Sequence, residues 1–284
     1  MSIEIRNLVK TFGKNNALNN VSLKFEDNQI YGLLGRNGAG KSTLLNIISN
    51  RLFATSGEVL IDGVPSQEND DALSKVYLMS EKTLYDPDTK IKHIFKQTKM
   101  FYPNFDIDRA FEISKQFQLD TNKKVKQLST GQTSIFKLAI SLSVNVPYIF
   151  LDEPVLGLDA NNRDLFYKML LEMYIEKPCT IIISTHLIEE ISSIIETAIM
   201  IEQGEIIINK SRDELIRMGY SVSGKASDVD SYTAGKEVIG EDTIGGLKTA
   251  YVIGRAEKVP STLEIASIDL QKLFVKLTSS KEEK

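Results

Sequence analysis

The sequence predicts an α/β protein built on a parallel sheet, and three stretches carry that expectation. Gly35-Arg36-Asn37-Gly38-Ala39-Gly40-Lys41-Ser42-Thr43 stands between an apolar run, Ile30-Tyr31-Gly32-Leu33-Leu34, and Leu44, Leu45, Ile47 and Ile48, whose spacing suits the buried face of a helix. Strand, glycine loop and helix follow in that order. Tyr148-Ile149-Phe150-Leu151 and Thr180-Ile181-Ile182-Ile183-Ser184 are continuous apolar runs of the kind found in strands buried on both faces. Between them Leu165, Phe166, Met169, Leu170 and Met173 recur at helical spacing, so strand and helix alternate as right-handed βαβ units require.

Taken in order, Ile3 to Ile5 and the alternating Val21-Ser22-Leu23-Lys24-Phe25 read as short strands ahead of the glycine loop. Phe12, between them, is favoured as a core residue. Gly57 to Gly63 and Val76-Tyr77-Leu78-Met79 read as two further strands. From about Asp86 to Val146 the pattern turns helical and more polar: Asp106 opens one helix, and Leu128-Ser129-Thr130-Gly131-Gln132 interrupts before Ile135, Leu138, Ala139 and Leu142 resume. This is a helical insertion into the α/β domain. After the Thr180 strand a helix is expected from His186 to Glu196, then a hairpin from Ala198 to Ile208 turning at Gln203-Gly204. Ser211-Arg212-Asp213-Glu214 has the form of a capping box. Beyond Met218 the composition shifts to Ser, Gly, Asp and Thr. Val238-Ile239, Ala250 to Ile253 and a helix with Leu270, Leu273, Phe274 and Leu277 suggest a small α+β appendage over 219–284, with a frayed tail from Ser279.

A chain of 284 residues with 42% hydrophobic content can bury a substantial core in one large domain or two unequal ones. Its net charge of −4 gives no bulk electrostatic reason to expect nucleic acid or an anionic membrane as partner. Cys179, the only cysteine, excludes an internal disulfide and any multi-cysteine metal site, and reads as a small buried residue. His93 has no motif around it and reads as a surface residue. The N-terminus lacks the apolar core of a signal peptide, so the cytoplasm is the expected compartment. The most apolar stretch, Thr180 to Ile208, is broken by His186 and five glutamates, short of the ~18 apolar residues of a membrane helix. Work at a membrane would need another protein to span it.

The glycine loop has a physical meaning in its context. Its glycines let backbone N–H groups from Asn37 through Thr43 wrap a polyphosphate, and the following helix N-terminus adds partial positive charge. Lys41 reaches the β- and γ-phosphates, and the Ser42 hydroxyl suits Mg²⁺. The alternative is a purely structural glycine loop. A second feature is Asp152-Glu153 directly after Tyr148 to Leu151. At the end of a strand beside the glycine loop, Asp152 can hold Mg²⁺ through water, and Glu153 can polarise an attacking water as general base. A polar strand end capping the next helix is the alternative there.

With GRNGAGKST at 35–43, LSTGQ at 128–132, FLDEP at 150–154, GLD at 157–159 and STH at 184–186, in that order, the chain resembles the ATPase subunit of an ATP-binding cassette (ABC) transporter. The likeness covers roughly residues 1–215. It implies a P-loop NTPase core with an antiparallel β subdomain, the helical insertion at about 86–146, ATP as nucleotide and Mg²⁺ as cation. It also implies a dimer in which Ser129 and Gly131, with Gln132 beside them, meet the γ-phosphate of an ATP held by the P-loop of a second ATPase subunit. That loop precedes a helix, so a plain N-cap at Ser129 or Thr130 is physically compatible. By the same resemblance His186 hydrogen-bonds the γ-phosphate, although a lone histidine there is more often a satisfied polar residue. Asp159 falls in the loop that crosses the dimer interface. Phe12 becomes the aromatic that stacks on adenine, against its core placement.

Two positions depart from the family pattern. Ser80 stands where a glutamine that reaches Mg²⁺ is usual, with Glu81 next to it, and Thr130 replaces a signature glycine. Serine can ligate Mg²⁺ with less reach. The resemblance implies an integral membrane permease as partner, peripheral attachment to the inner face of the cell membrane through it, and no nucleic acid. The appendage, opening with Tyr220-Ser221-Val222-Ser223-Gly224, resembles single-cassette bacterial exporters of peptides, lipids or drugs. The rival readings are a soluble ABC ATPase acting on ribosomes or DNA, and a regulatory nucleotide-binding subunit with little hydrolysis.

Overall fold

The computed structural model describes residues 1–279, with side chains through Lys276. The expected tail beyond Ser279 and the Leu277 side chain lie outside the described residues. The chain divides into two compact units, one of Met1–His186 with Ile201–Ile207, the other of Leu187–Met200 with the residues from Ile208 onward. The sequence had suggested a break near residues 215–219 instead.

The first unit opens with β1 (Ser2–Phe12) and β2 (Asn15–Glu26), paired antiparallel with Ile3 opposite Phe25. Both run well beyond the short strands read from sequence. Asn7 and Asn20 take left-handed backbone, φ 48 and 51, where the register shifts, and Asn7 Nδ2 donates to Asn20 Oδ1 at 3.0 Å. Asparagine tolerates that conformation, so the ladder survives a break that hides its periodicity. β3 (Ile30–Leu34) and α1 (Lys41–Ile48) flank the glycine loop, as expected. β4 (Ser56–Ile61) and β5 (Val64–Pro65) complete a four-stranded sheet of order β2-β1-β4-β5, antiparallel throughout.

After α2 (Asp70–Leu73) and β6 (Val76–Met79) come three helices, α3 (Ile91–Phe101), α4 (Ile107–Gln116) and α5 (Thr130–Ser141). Asp106 caps α4 by accepting from Arg109 N at 2.9 Å. Ser129 caps α5 in a capping box with Gln132. The chain continues through β7 (Tyr148–Asp152), α6 (Ala160–Glu176) and β8 (Thr180–Thr185). β6, β7, β8 and β3 are parallel neighbours buried on both faces, which is why their sequences run apolar without alternation. Phe150 on β7 stands edge-on to Phe25 at 6.2 Å, and Phe25 in turn to Tyr31 at 5.0 Å, joining the two sheets through aromatic contacts.

The helix expected over His186–Glu196 shrinks to α7 (Ile188–Ile191). Ser192 Oγ donates to the Glu189 carbonyl at 2.9 Å, a local bond that competes with helix continuation. β9 (Thr197–Glu202) and β10 (Glu205–Ser211) turn at Gln203 and Gly204, both at positive φ, as a two-residue hairpin requires. Their residues Ile201–Ile207 belong to the first unit, and the six-stranded order is β10-β9-β3-β8-β7-β6.

In the second unit, α8 (Arg212–Arg217) starts at the Ser211 capping box. β11 (Gly219–Lys225), α9 (Ala226–Thr233), β12 (Glu237–Ile244), β13 (Leu247–Ile253), β14 (Glu264–Ser267) and α10 (Leu270–Ser279) follow. The sheet order is β12-β13-β11-β14, all antiparallel. Val229 of α9 packs with Val222, Ala250 and Val252 to form its core. The sequence reading missed β11, α9 and β14, because the serines and glycines around Tyr220 and Val222 read as loop.

Candidate active site at the carboxyl ends of the parallel strands

Register gathers the site. Leu34 pairs with Thr185, Asp152 with Ser184, and Met79 with Leu151, so the loops after β3, β8, β7 and β6 open on one edge of the sheet. A cleft of about 310 Å³ there is lined by Ala17, Asn37 through Thr43, Glu81, Glu153, Leu156 and His186. Another cleft, about 260 Å³, lies at the opposite strand ends beside Tyr148 and Cys179, away from every loop singled out in the sequence.

The glycine loop is shaped by contacts that refuse side chains. Gly40 caps α1 at φ 113, and a Cβ there would fall 2.6 Å from the Ala17 carbonyl oxygen. Lys41 is 6% exposed; its Nζ donates to the Gly35 and Arg36 carbonyls at 2.6 and 3.3 Å. Burial lowers its pKa below the ordinary lysine value, while the charges of Glu153, Asp152 and Glu81 pull it back up.

Asp152 is 3% exposed and accepts from Ser184 Oγ at 2.9 Å, with the Ser42 hydroxyl near enough to act on its pKa. Burial raises its pKa, the two hydroxyls oppose that, and Glu153 and Glu81 add to the rise. Glu153 holds a left-handed backbone, φ 48, unusual for a side chain of this size. Its carboxylate accepts from Thr185 Oγ1 at 3.1 Å and meets His186 Nδ1 at 2.9 Å.

Other residues singled out in the sequence lie elsewhere. Ser80 does not line the cleft. Arg51 Nη1 donates to its hydroxyl at 2.6 Å while Nη2 takes the Leu78 carbonyl at 2.9 Å, and Glu81 forms the cleft wall at that point. The Ser80 hydroxyl, a candidate metal ligand by sequence, is thus engaged by Arg51 outside the cleft lining. Phe12 is 49% exposed with Lys10 Nζ 4.9 Å over its ring, which overturns the core placement. It stands outside the cleft lining, where the same hairpin contributes Ala17.

Ser129, Gly131 and Gln132 are likewise absent from the lining. The Ser129 hydroxyl accepts from Gln132 N at 3.2 Å, and Gln132 Oε1 accepts from Ser129 N at 3.3 Å. A Cβ on Gly131 would meet the Gly157 carbonyl oxygen at 2.6 Å, and one on Gly157 the Thr130 methyl at 2.9 Å. Thr130 therefore packs the signature loop onto the loop that ends at Asp159, the N-cap of α6. Sequence reasoning missed Ala17, Arg51, Lys137 and the hydroxyls of Ser184 and Thr185. The parallel run at β8 was legible, but its register against β7, which aims those hydroxyls at Asp152 and Glu153, was not. Exposed His93 and buried Cys179 behave as expected.

A glycine loop on a helix N-terminus, a buried Asp beside the loop serine and a Glu at the next position define a P-loop NTPase. The ABC transporter family profile matches residues 18–156. YtrB, an ABC transporter ATP-binding protein of Bacillus subtilis (strain 168), is 33% identical over 75% of this chain and 73% of its own. The lantibiotic transport ATP-binding protein SrtF of Streptococcus pyogenes is 30% identical over 74% of this chain and 91% of its own. Other relatives are named for import. Among solved structures, the dimeric ATP-binding cassette MJ0796, in a post-hydrolysis state bound to ADP and Pi, matches with a TM-score of 0.65 at 27% identity over 74% of this chain and 98% of that one. The chain belongs to the ABC transporter ATP-binding family and is an ATPase subunit that uses ATP and Mg²⁺. The donors fit such a cation: the Ser42 hydroxyl lies near enough to Asp152 to lower its pKa, and hard oxygen ligands with room for water and phosphate are what Mg²⁺ requires. Among the described residues no helix is long and apolar enough to cross a membrane.

Proposed function

We propose that this chain energises a membrane exporter: two such subunits close on two ATP molecules, and a separately encoded integral membrane permease converts closing and opening into movement of a peptide, lipid or drug-like substrate. The observation that carries the reading is the Glu153 carboxylate, held by Thr185 and His186 on the wall of the cleft that contains Lys41.

In this reading the backbone N–H groups from Asn37 to Thr43, with Lys41, hold the phosphates, and Phe12 stacks on the adenine. Ser42 and Asp152 hold Mg²⁺, which when bound neutralises phosphate charge. Glu153 takes a proton from the attacking water, and the two bonds to its carboxylate limit its search for that geometry. His186 orients Glu153 and adds a hydrogen bond to the terminal phosphate. Ser129, Gly131 and Gln132 complete the site on the other subunit, and Asp159 lies where the two meet.

Residues 1–215 carry the ATPase chemistry, the helical segment at about 86–146 meets the permease, and 219–284 form an accessory domain. Exposed Met100 and Phe101 at the end of α3 support a protein-facing surface in that segment. The subunit then sits at the inner face of the membrane through the permease.

Glu153→Gln should bind ATP normally and hydrolyse it at least about 100-fold more slowly, the scale of a lost general base. Full turnover by that variant would sink the assignment. Co-purification from membranes with mass identification of the partner tests the permease: a polytopic protein supports it, and ribosomes or DNA in its place overturn it. Inverted vesicles carrying both proteins separate export from import by the side on which substrate accumulates.

A further inference from the structure

α5 carries a charge where its sequence offers no reason for one. Every residue from Ser134 to Ser141 is buried, and Lys137 lies among Ile135, Phe136, Leu138, Ala139 and Ile140 at 6% exposure. Its Nζ donates to the carbonyl oxygens of Ser80 and Glu81 at 2.9 and 2.8 Å. These two residues follow β6, and Glu81 is part of the cleft wall. Burial lowers the Lys137 pKa, and the carboxylates of Glu81 and Asp152 are the charges that oppose the fall. A lysine serving only to fill space would be replaced by an apolar side chain at no electrostatic cost.

The same turn is gripped from its other side. Arg51 holds the Ser80 hydroxyl and the Leu78 carbonyl, so the segment from Leu78 to Glu81 is fixed by two cations, one from the bend after α1 and one from α5. α5 also ties down a second loop: Ser134 Oγ donates to the Leu156 carbonyl at 2.6 Å, and Leu156, like Glu81, lines the cleft.

We propose that Lys137 is a positioning residue for ATP hydrolysis: from the buried face of α5 its ammonium holds the Ser80–Glu81 turn by both carbonyls and thereby fixes the Glu81 carboxylate in the wall of the nucleotide cleft. This rests on the reading of that cleft as the ATP site. Removing the ammonium leaves two carbonyl oxygens without their donor and takes a positive charge from beside Asp152 and Glu81. The turn then loses the constraint that keeps Glu81 in the cleft wall. The N–H groups of the glycine loop are not part of this turn, so the effect falls mainly on turnover rather than on affinity.

The test is steady-state hydrolysis of Mg²⁺–ATP by the purified full chain, as wild type, Lys137→Met, Lys137→Arg, Glu81→Ala and the Lys137→Met/Glu81→Ala double variant, with thermal melts of each. Lys137→Met should lower kcat by roughly 10–100-fold, the scale seen when a group that orients a ligand is removed, with KM changed less than about threefold. Lys137→Arg, which keeps the charge and can reach both carbonyls, should restore most of kcat. In the Glu81→Ala background the Met substitution should cost less than about threefold more, because the two residues act as a unit. Unchanged kcat in Lys137→Met, or losses that multiply fully in the double variant, would overturn the proposal. If Lys137→Met does not fold, Lys137→Gln decides: a kcat at least fivefold lower supports it and wild-type turnover refutes it. Lys41→Ala guards the underlying reading. If wild-type turnover is absent or survives Lys41→Ala, the ATP site itself is misplaced and the role of Lys137 falls with it.

Discussion

Glu153 and Asp152 are adjacent in sequence and opposite in circumstance. Asp152 ends β7 with its side chain buried against Ser184 and Ser42, whereas Glu153 leaves the strand through left-handed backbone and presents its carboxylate to the cleft. Sites that hold a buried charge for chemistry hold it against stability. The folded pKa of Asp152 lies above the ordinary carboxylate value of 3.8, so the folded form takes up a proton before the unfolded chain does. Its stabilising contribution is complete below that ordinary value and is lost as pH rises through the folded pKa. At pH 7 the ionised form is therefore a burden. Asp152→Asn should melt higher at pH 7 by about 0.5–2 kcal/mol, with the gap narrowing toward pH 4, while Mg²⁺-dependent turnover is abolished. A variant that melts lower at pH 7 would contradict this account. The acidic pair and the glycine loop were legible in the sequence because residue type and spacing alone specify them. The hydroxyls of Ser184 and Thr185 were not, since their meaning depends on strand register. The bond from Arg51 to the Ser80 hydroxyl was illegible for a related reason, since the two residues are distant in sequence.

At the scale of elements, apolar runs and capping boxes translated directly into structure. The buried strands β3, β7 and β8 and the Ser129 and Ser211 caps lie where the sequence put them, because each is specified by neighbours within a few residues. The second unit was harder to read, as its strands are held by partners remote in sequence and carry small polar residues. Asp242 on β12 illustrates such a link. It accepts from Lys276 Nζ of α10 at 2.6 Å and from the Tyr251 hydroxyl of β13 at 2.8 Å, and Lys272 lies 3.4 Å away. The Lys276 hydrogen bond leads in lowering its pKa to about 2. A carboxyl with a depressed folded pKa contributes stability above the unfolded value, and that stability disappears as pH falls through the folded one. Asp242→Asn should thus melt below wild type at pH 7, by less than about 1 kcal/mol because solvent screens so exposed a pair. The difference should vanish between pH 4 and pH 2, and it should shrink in high salt at neutral pH. Melting curves across pH and salt check both. A gap that persists at pH 2 would assign the effect to packing instead.

At the scale of the whole molecule, the feature to explain is a division of labour within one chain. The cleft collects Lys41, Ser42, Glu153 and His186, yet Ser129, Gly131 and Gln132 stand outside it, with Ser129 capping α5 at an exposed helix start. An exposed helix N-terminus offers N–H groups and partial positive charge to an anion, and the chain's own cleft does not use this one. In the proposed two-fold pair of subunits each copy would supply the group the other lacks. This can be tested by mixing two inactive proteins. On the proposed roles, Lys41→Ala should fail to hold the phosphates and Ser129→Arg should fail to present the signature loop, so either alone should be inactive. In a mixed dimer one site combines the intact Lys41 of one chain with the intact Ser129 of the other, while the second site carries both defects. If sites act independently, an equal mixture contains half mixed dimers with one working site each, and recovers about a quarter of wild-type turnover per chain. Recovery that rises with protein concentration and requires both variants would identify the site as shared between subunits. Inactivity of the mixture, with each variant folded and dimerising with wild type, would count against two independent sites shared between chains, and wild-type turnover by Ser129→Arg alone would remove Ser129 from the chemistry.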